Sequence, residues 1–164
     1  MRRTPVVSSF KPRAHDHGRC VAQALGSAER LCRERGVRLT PVRRRVLELV
    51  WSRHEPVLAY DLLDRLREAQ PRAAPPTIYR ALDFLQAQGL VHRIECLNAY
   101  YSCAEPERPH SGQFLICIDC NAVAELDDAG IRDLVRSRAR DTGFVVDSET
   151  IEVRGRCPAC AARD

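Results

Sequence analysis

No run of about 18 apolar residues occurs in the 164-residue chain, so no membrane-spanning helix is expected. The first 19 residues, MRRTPVVSSFKPRAHDHGR, are basic but lack the apolar stretch of a secretory signal. A cytoplasmic location is the expectation. Lysine is nearly missing: Lys11 stands alone, and arginine supplies the rest of the 26 basic residues. No internal repeat is present. In a reducing compartment the eight cysteines are not expected to form structural disulfides; paired thiols there serve as metal ligands or redox centres. A zinc deaminase needs His-x-Glu together with Pro-Cys-x-x-Cys. Here the order is Cys157-Pro158, and His92 and Glu95 stand one residue too far apart. No enzyme is expected.

What is present divides the chain in two. Residues 1–104 carry 18 Lys/Arg against 10 Asp/Glu, whereas residues 105–164 carry 8 against 12. A basic half joined to an acidic half points to a polyanion contact confined to one end. The apolar content of 45% is enough for packed cores.

Residues 1–21 are polar and aperiodic and read as a flexible tail. His15 and His17 stand in it as a bare His-Asp-His; His54 is likewise left without a role, so a third metal site is not assigned. From Ala22 to Arg35, apolar residues recur at helical spacing and Gly36 supplies the stop. Thr40 is a good N-cap with Pro41 at the first helical position, followed by the stripe Val42, Val46, Leu49 and Val50. A third helix is expected from Tyr60 to Ala69 and a fourth from Pro76 to Gln88, closed by Gly89. The period then switches to that of strands: LVHRIE and AYYSC flank Leu97-Asn98 as a hairpin. Helices followed at once by a hairpin are the order of a winged helix-turn-helix domain, residues 22–103. Residues 104–111 read as a hinge, and 112–164 as a small α+β domain with strands, a helix over 129–142 and one or two further strands.

In the fourth helix, Ile78, Ala81, Leu82 and Leu85 share one face. Thr77, Tyr79 and Arg80 point elsewhere. A helix lying in the major groove reads bases with its first turns, and Arg is the best bidentate partner of guanine. Arg80 is the first choice for a base contact, with Thr77 and Tyr79 suited to phosphate. Arg38 suits the minor groove as arm residues do. Arg43 to Arg45 suit either the DNA backbone or a solvated charge run. An ordinary amphipathic surface helix fits the same pattern, so periodicity leaves both readings open.

Two Cys-x-x-Cys pairs, Cys117/Cys120 and Cys157/Cys160, are separated by 36 residues. Four thiolates make a closed tetrahedral zinc site, and a domain of about 55 residues needs such a staple. A thioredoxin-type redox pair would use one Cys-x-x-Cys, and here there are two. His92, Cys103, His110 and Glu125 offer one thiol, two imidazoles and a carboxylate, a mixed set suited to zinc. Taken singly, each has an ordinary structural explanation. Cys32 reads as a core residue; Cys20 and Cys96 are unassigned, although Cys96 lies close to the mixed set.

The segments RLTPVRRRVLELV, AYDLLDRLREAQPRAAPPTIYRALDFLQAQGLVHRIE and FLICIDC…CPAC together resemble the ferric uptake regulator family, and most closely its zinc-sensing branch, over about residues 22–161. The resemblance implies a homodimeric repressor that binds double-stranded operator DNA through its winged helix and dimerises through its C-terminal domain. It implies two zinc ions per chain: a structural one on Cys117, Cys120, Cys157 and Cys160, and a regulatory one on His92, Cys103, His110 and Glu125. Tyr60 and Arg80 match positions expected to meet bases. Iron-sensing relatives carry a histidine run before the first cysteine pair, and this chain has only RPHSG; peroxide sensors use an oxygen–nitrogen iron site, which Cys103 argues against. An iron, nickel or peroxide sensor remains the alternative within the family, and a zinc-ribbon adaptor for protein partners the alternative outside it.

Overall fold

A computed structural model describes residues 6–10, 17–53, 55–108, 110 and 112–163. His15 and His54, and the side chain of His17, lie outside the described residues. The chain forms two compact units, one of residues 12–108 and one that combines residues 1–11 with 109–164.

The N-terminal unit is helical with a small sheet. Helices α1 (His17–Glu34), α2 (Pro41–Trp51), α3 (Ala59–Ala69) and α4 (Pro75–Ala87) precede strands β3 (Val91–Ile94) and β4 (Ala99–Ser102). Strand β1 (Val6–Ser8) belongs to the other unit, and β2 (Val57–Leu58) pairs with β4, giving the sheet order β2-β4-β3. Thr40 caps α2: its hydroxyl accepts the Arg43 N–H, and Pro41 follows where a missing N–H costs nothing. Gly36 and Gly89 take left-handed φ values of 66° and 67°, which a side chain would oppose, and so end α1 and α4. Between β3 and β4 the chain makes a short 3-10 turn closed by left-handed Asn98. The apolar stripes of all four helices meet Val57, Leu90, Val91 and Tyr100 in one continuous core. Cys32 lies inside it, where burial pushes its thiol up, as expected of a packing residue.

The C-terminal unit has the sheet order β1-β6-β5-β7, with β5 (Gly112–Cys117), β6 (Val123–Leu126) and β7 (Thr150–Gly155). β5 and β6 form an antiparallel hairpin; α5 (Ala129–Asp141) then returns the chain so that β7 runs parallel to β5. Asp128 caps α5 by accepting the Gly130 and Ile131 N–H groups. Buried Gln113 holds that cap in turn: its oxygen accepts the Asp128 N–H and its amide donates to the Asp128 carbonyl. The short helix α6 (Pro158–Ala161) closes the unit.

One expectation is corrected. Residues 1–21 do not all form a tail: Val6–Ser8 pair with β6, and α1 begins at His17 rather than Ala22. β-branched Val6 and Val7 suit an edge strand, and Gly18 and Arg19 are exposed in the first turn of α1. Of the one or two strands expected over Phe144–Gly155, one forms, β7, and Phe144 to Glu149 are irregular.

Candidate metal centres and nucleic-acid interface

The four cysteine sulfurs of the C-terminal unit lie within 4.8 Å of one another. The topology explains why. Parallel pairing sets Cys117, the last residue of β5, beside Gly155, two residues ahead of Cys157. A turn with left-handed Asn121 then folds Cys120 back: the Asn121 N–H donates to the Cys117 carbonyl at 3.0 Å. The first turn of α6 does the same for the second pair, with the Cys160 N–H donating to the Cys157 carbonyl at 3.0 Å. Cys117, Cys157 and Cys160 are buried and Cys120 is half-buried.

All four are free thiols, and the 3.8 Å between Cys120 Sγ and Cys157 Sγ is far too long for a disulfide. It matches another geometry. Four thiolates about 2.3 Å from one zinc ion stand about 3.8 Å apart along each tetrahedral edge. The electrostatics agree. The Cys157 N–H, donating to the Cys117 sulfur at 3.3 Å, holds the Cys117 thiol low, at about 6. Hydrogen bonding with the Cys157 thiol, then with Cys120, and burial push Cys160 up to about 12. Four crowded sulfurs therefore do not all ionise at neutral pH by themselves, and a divalent cation is what such a donor set accommodates. The residues fit zinc.

The mixed set falls into two pairs, one in each unit. In the C-terminal unit His110 Nε2 lies 2.7 Å from Glu125 Oε1, and both side chains are buried. Glu125 stands in β6 opposite Phe114 and Ser8. In the N-terminal unit His92 pairs with Tyr101 across β3 and β4, and the Cys103 N–H donates to the Leu90 carbonyl at 3.2 Å. Side chains two apart on a strand share a face, so His92 and Cys103 are diagonal neighbours on one side of the hairpin. Cys103 is buried and His92 half-buried. Imidazole beside carboxylate and imidazole beside thiol are each half of a tetrahedral donor set.

In the N-terminal unit, α4 buries Ile78, Ala81, Leu82 and Leu85, as its periodicity predicts. Arg80 and Tyr79 are exposed, and Thr77 is half-buried. Tyr60, in the first turn of α3, is 65% exposed. Arg38 is exposed, and its carbonyl accepts Arg43 Nη1 at 2.7 Å. The Arg43–Arg45 run is engaged within the protein. The Arg43 guanidinium lies 3.6 Å over the Phe84 ring and ties α2 to α4, Arg44 pairs with Glu29, and Arg45 with Glu48. Cys96 is exposed in the wing turn, and Cys20 packs at the edge of the core.

Periodicity found α5 but not what its stripe does. Ile131, Leu134 and Val135 are all more than a third exposed, and Phe144, Val145 and Val153 stand open in the same unit. Sequence reasoning also missed Ser8 and Phe10. The Ser8 hydroxyl accepts the Glu125 N–H, and Phe10 packs against the thiol cluster. The adjacent valines were the only sign of a strand there.

A family model described as the ferric uptake regulator family matches residues 34–154. The zinc uptake regulation protein of Escherichia coli K12 is 45% identical over 139 residues, which are 84% of this chain and 81% of that protein. The peroxide operon regulator of Bacillus subtilis is 26% identical over 145 residues, 87% of this chain and 97% of that protein. A solved zinc uptake regulator complexed with zinc and DNA superposes with a TM-score of 0.82 at 42% identity, covering 92% of this chain and 98% of that one.

Proposed function

The chain belongs to the ferric uptake regulator family, and on that premise we propose that it is a cytoplasmic, zinc-responsive transcriptional repressor that binds operator DNA as a homodimer and turns down zinc-uptake genes. The observation that carries the metal part is the convergence of four free thiols within 4.8 Å of one another. Zinc, when bound, would supply a tetrahedral acceptor for thiolate, imidazole and carboxylate donors.

Cys117, Cys120, Cys157 and Cys160 would hold a structural ion, joining the end of β5 to the start of α6. His92, Cys103, His110 and Glu125 would hold a second, regulatory ion, giving two per chain. Two of these donors belong to each unit, so closing the set would fix the angle between them. In a dimer that angle sets the spacing of the two α4 helices, which must match half-sites about one helical turn apart. Arg80 and Tyr60 would meet bases, Thr77 and Tyr79 phosphates, and Arg38 the minor groove. The open apolar side chains of α5 and β7 suit the contact with a second copy. A thiol in the regulatory set favours zinc over an oxygen–nitrogen iron site.

The deciding measurement is a gel-shift titration of operator DNA against free zinc for the wild type and Cys103→Ser. The wild type should bind tightly only with zinc, and the variant should stay weak throughout. Operator affinity indifferent to zinc in the wild type would overturn the proposal.

A further inference from the structure

Residues 6–10 lie outside the segment matched by the family model. They nevertheless reach donors of both candidate centres in the C-terminal unit. β1 adds an edge to β6 with Val6 opposite Leu126 and Ser8 opposite Glu125, and the register shifts between them. Such an irregularity turns a side chain away from the regular ladder. Here the Ser8 hydroxyl accepts the Glu125 N–H at 3.3 Å, and Ser8 is itself buried. Two residues on, Phe10 packs half-buried against the cluster of Cys117, Cys157 and Cys160.

These two contacts act on different donors. A hydrogen bond to the backbone of Glu125 fixes the strand position from which its carboxylate is aimed. An aromatic ring over the thiol cluster keeps water and competing ligands away from sulfur. Groups just beyond the ligands commonly control how tightly a metal is held.

We propose that residues 6–10 are a strap that sets metal retention at both centres, with Ser8 positioning Glu125 and Phe10 shielding the four thiols. The proposal rests on the zinc reading above, and its test separates the two. Full-length protein is loaded with zinc and challenged with a chromophoric chelator, using Ser8→Ala, Ser8→Thr, Phe10→Ala and Phe10→Leu. In Phe10→Ala the slowly released ion should leave about tenfold faster, at the lower end of what losing such a partner costs in metal affinity. Ser8→Ala should weaken the readily exchanged ion by a similar factor and leave the slow one unchanged. Ser8→Thr restores the hydroxyl and Phe10→Leu the apolar cover, so both should return to wild-type behaviour. A second arm needs no metal: in the metal-free protein, an aromatic disulfide reagent should modify the clustered cysteines faster in Phe10→Ala than in Phe10→Leu. Unchanged release in both alanine variants, or loss that Thr and Leu do not rescue, overturns the strap. A wild type that takes up no zinc overturns the preceding reading instead, and the metal-free arm then decides the strap.

Discussion

The two units of this chain solve the same stability problem with different materials. In the N-terminal unit every helix contributes buried aliphatic side chains to one core that also takes in the wing strands. In the C-terminal unit Phe114, Ile116, Val123 and Ala124 are buried on the sheet, α5 buries none of its residues, and a separate cluster is made of sulfur. Apolar burial contributes roughly 25 cal/mol per Å², and so small a unit removes too little area from water to be secure on that alone. A structural ion on the four sulfurs and a second copy over the exposed stripe, as proposed above, would supply what the core lacks. The lesson is one of division: the N-terminal unit is packed by its own core, whereas on the reading proposed above the C-terminal unit would depend on its structural ion and on a second copy of the chain.

The sharpest way to break this contrast is Cys117→Ser. The C-terminal unit should unfold, with a loss of about 10 kcal/mol of metal-linked folding energy, while the N-terminal helices persist. Hydrogen exchange resolved by segment, with far-ultraviolet circular dichroism, would read this; equal loss of protection in both units would erase the distinction. Next in size is Cys103→Ser. It should leave a folded dimer with its structural zinc but remove the zinc dependence of operator binding, a coupling of ~2–3 kcal/mol. Arg80→Ala should cost about 2 kcal/mol and relax the preference at one base pair, whereas Thr77→Val should weaken binding evenly across sequences. Binding to an arrayed operator library distinguishes the two.

The smallest effect concerns pH in the metal-free protein. Cys117 is held below its ordinary value of 9.0, at about 6, chiefly by the Cys157 N–H. It therefore favours the fold above 9 and loses that contribution as pH falls through about 6. Cys160 is raised from 9.0 to about 12, chiefly by hydrogen bonding with Cys157, so its contribution is present below 9 and fades as pH rises toward 12. Exchange protection of β5 and α6 in the metal-free protein should therefore peak near pH 9 and decline on either side, toward about 6 and toward about 12. A monotonic profile would show that the thiol cluster does not govern the unit.

Much of the N-terminal unit was legible because local signals agree there. Thr40 and Pro41 start a helix, Gly36 and Gly89 end two others, and the stripe of α4 points where its spacing says. The cysteine pairs were legible because two short motifs at a fixed separation have few other uses. β1 and β2 were not: strands of three and two residues have no period to detect, and their existence depends on the partners β6 and β4. The outward face of α5 was hidden for a related reason. Amphipathic spacing tells which side of a helix is apolar but not what covers it. The Arg43–Arg45 run looked like one charged surface, and only the fold shows Arg43 stacked on Phe84.

The C-terminal unit is assembled from both ends of the numbering, and that has a consequence during synthesis. Everything the N-terminal core requires has been translated by Tyr100. Ser8, by contrast, bonds to a residue made 117 positions later, and the Cys117 sulfur accepts from a backbone N–H made 40 positions later. At about 5–20 residues per second, the first thiol pair waits ~2–8 s for the second. Until then Cys117 and Cys120 are an open dithiol, and the four-sulfur cluster can close only after the second pair has been made.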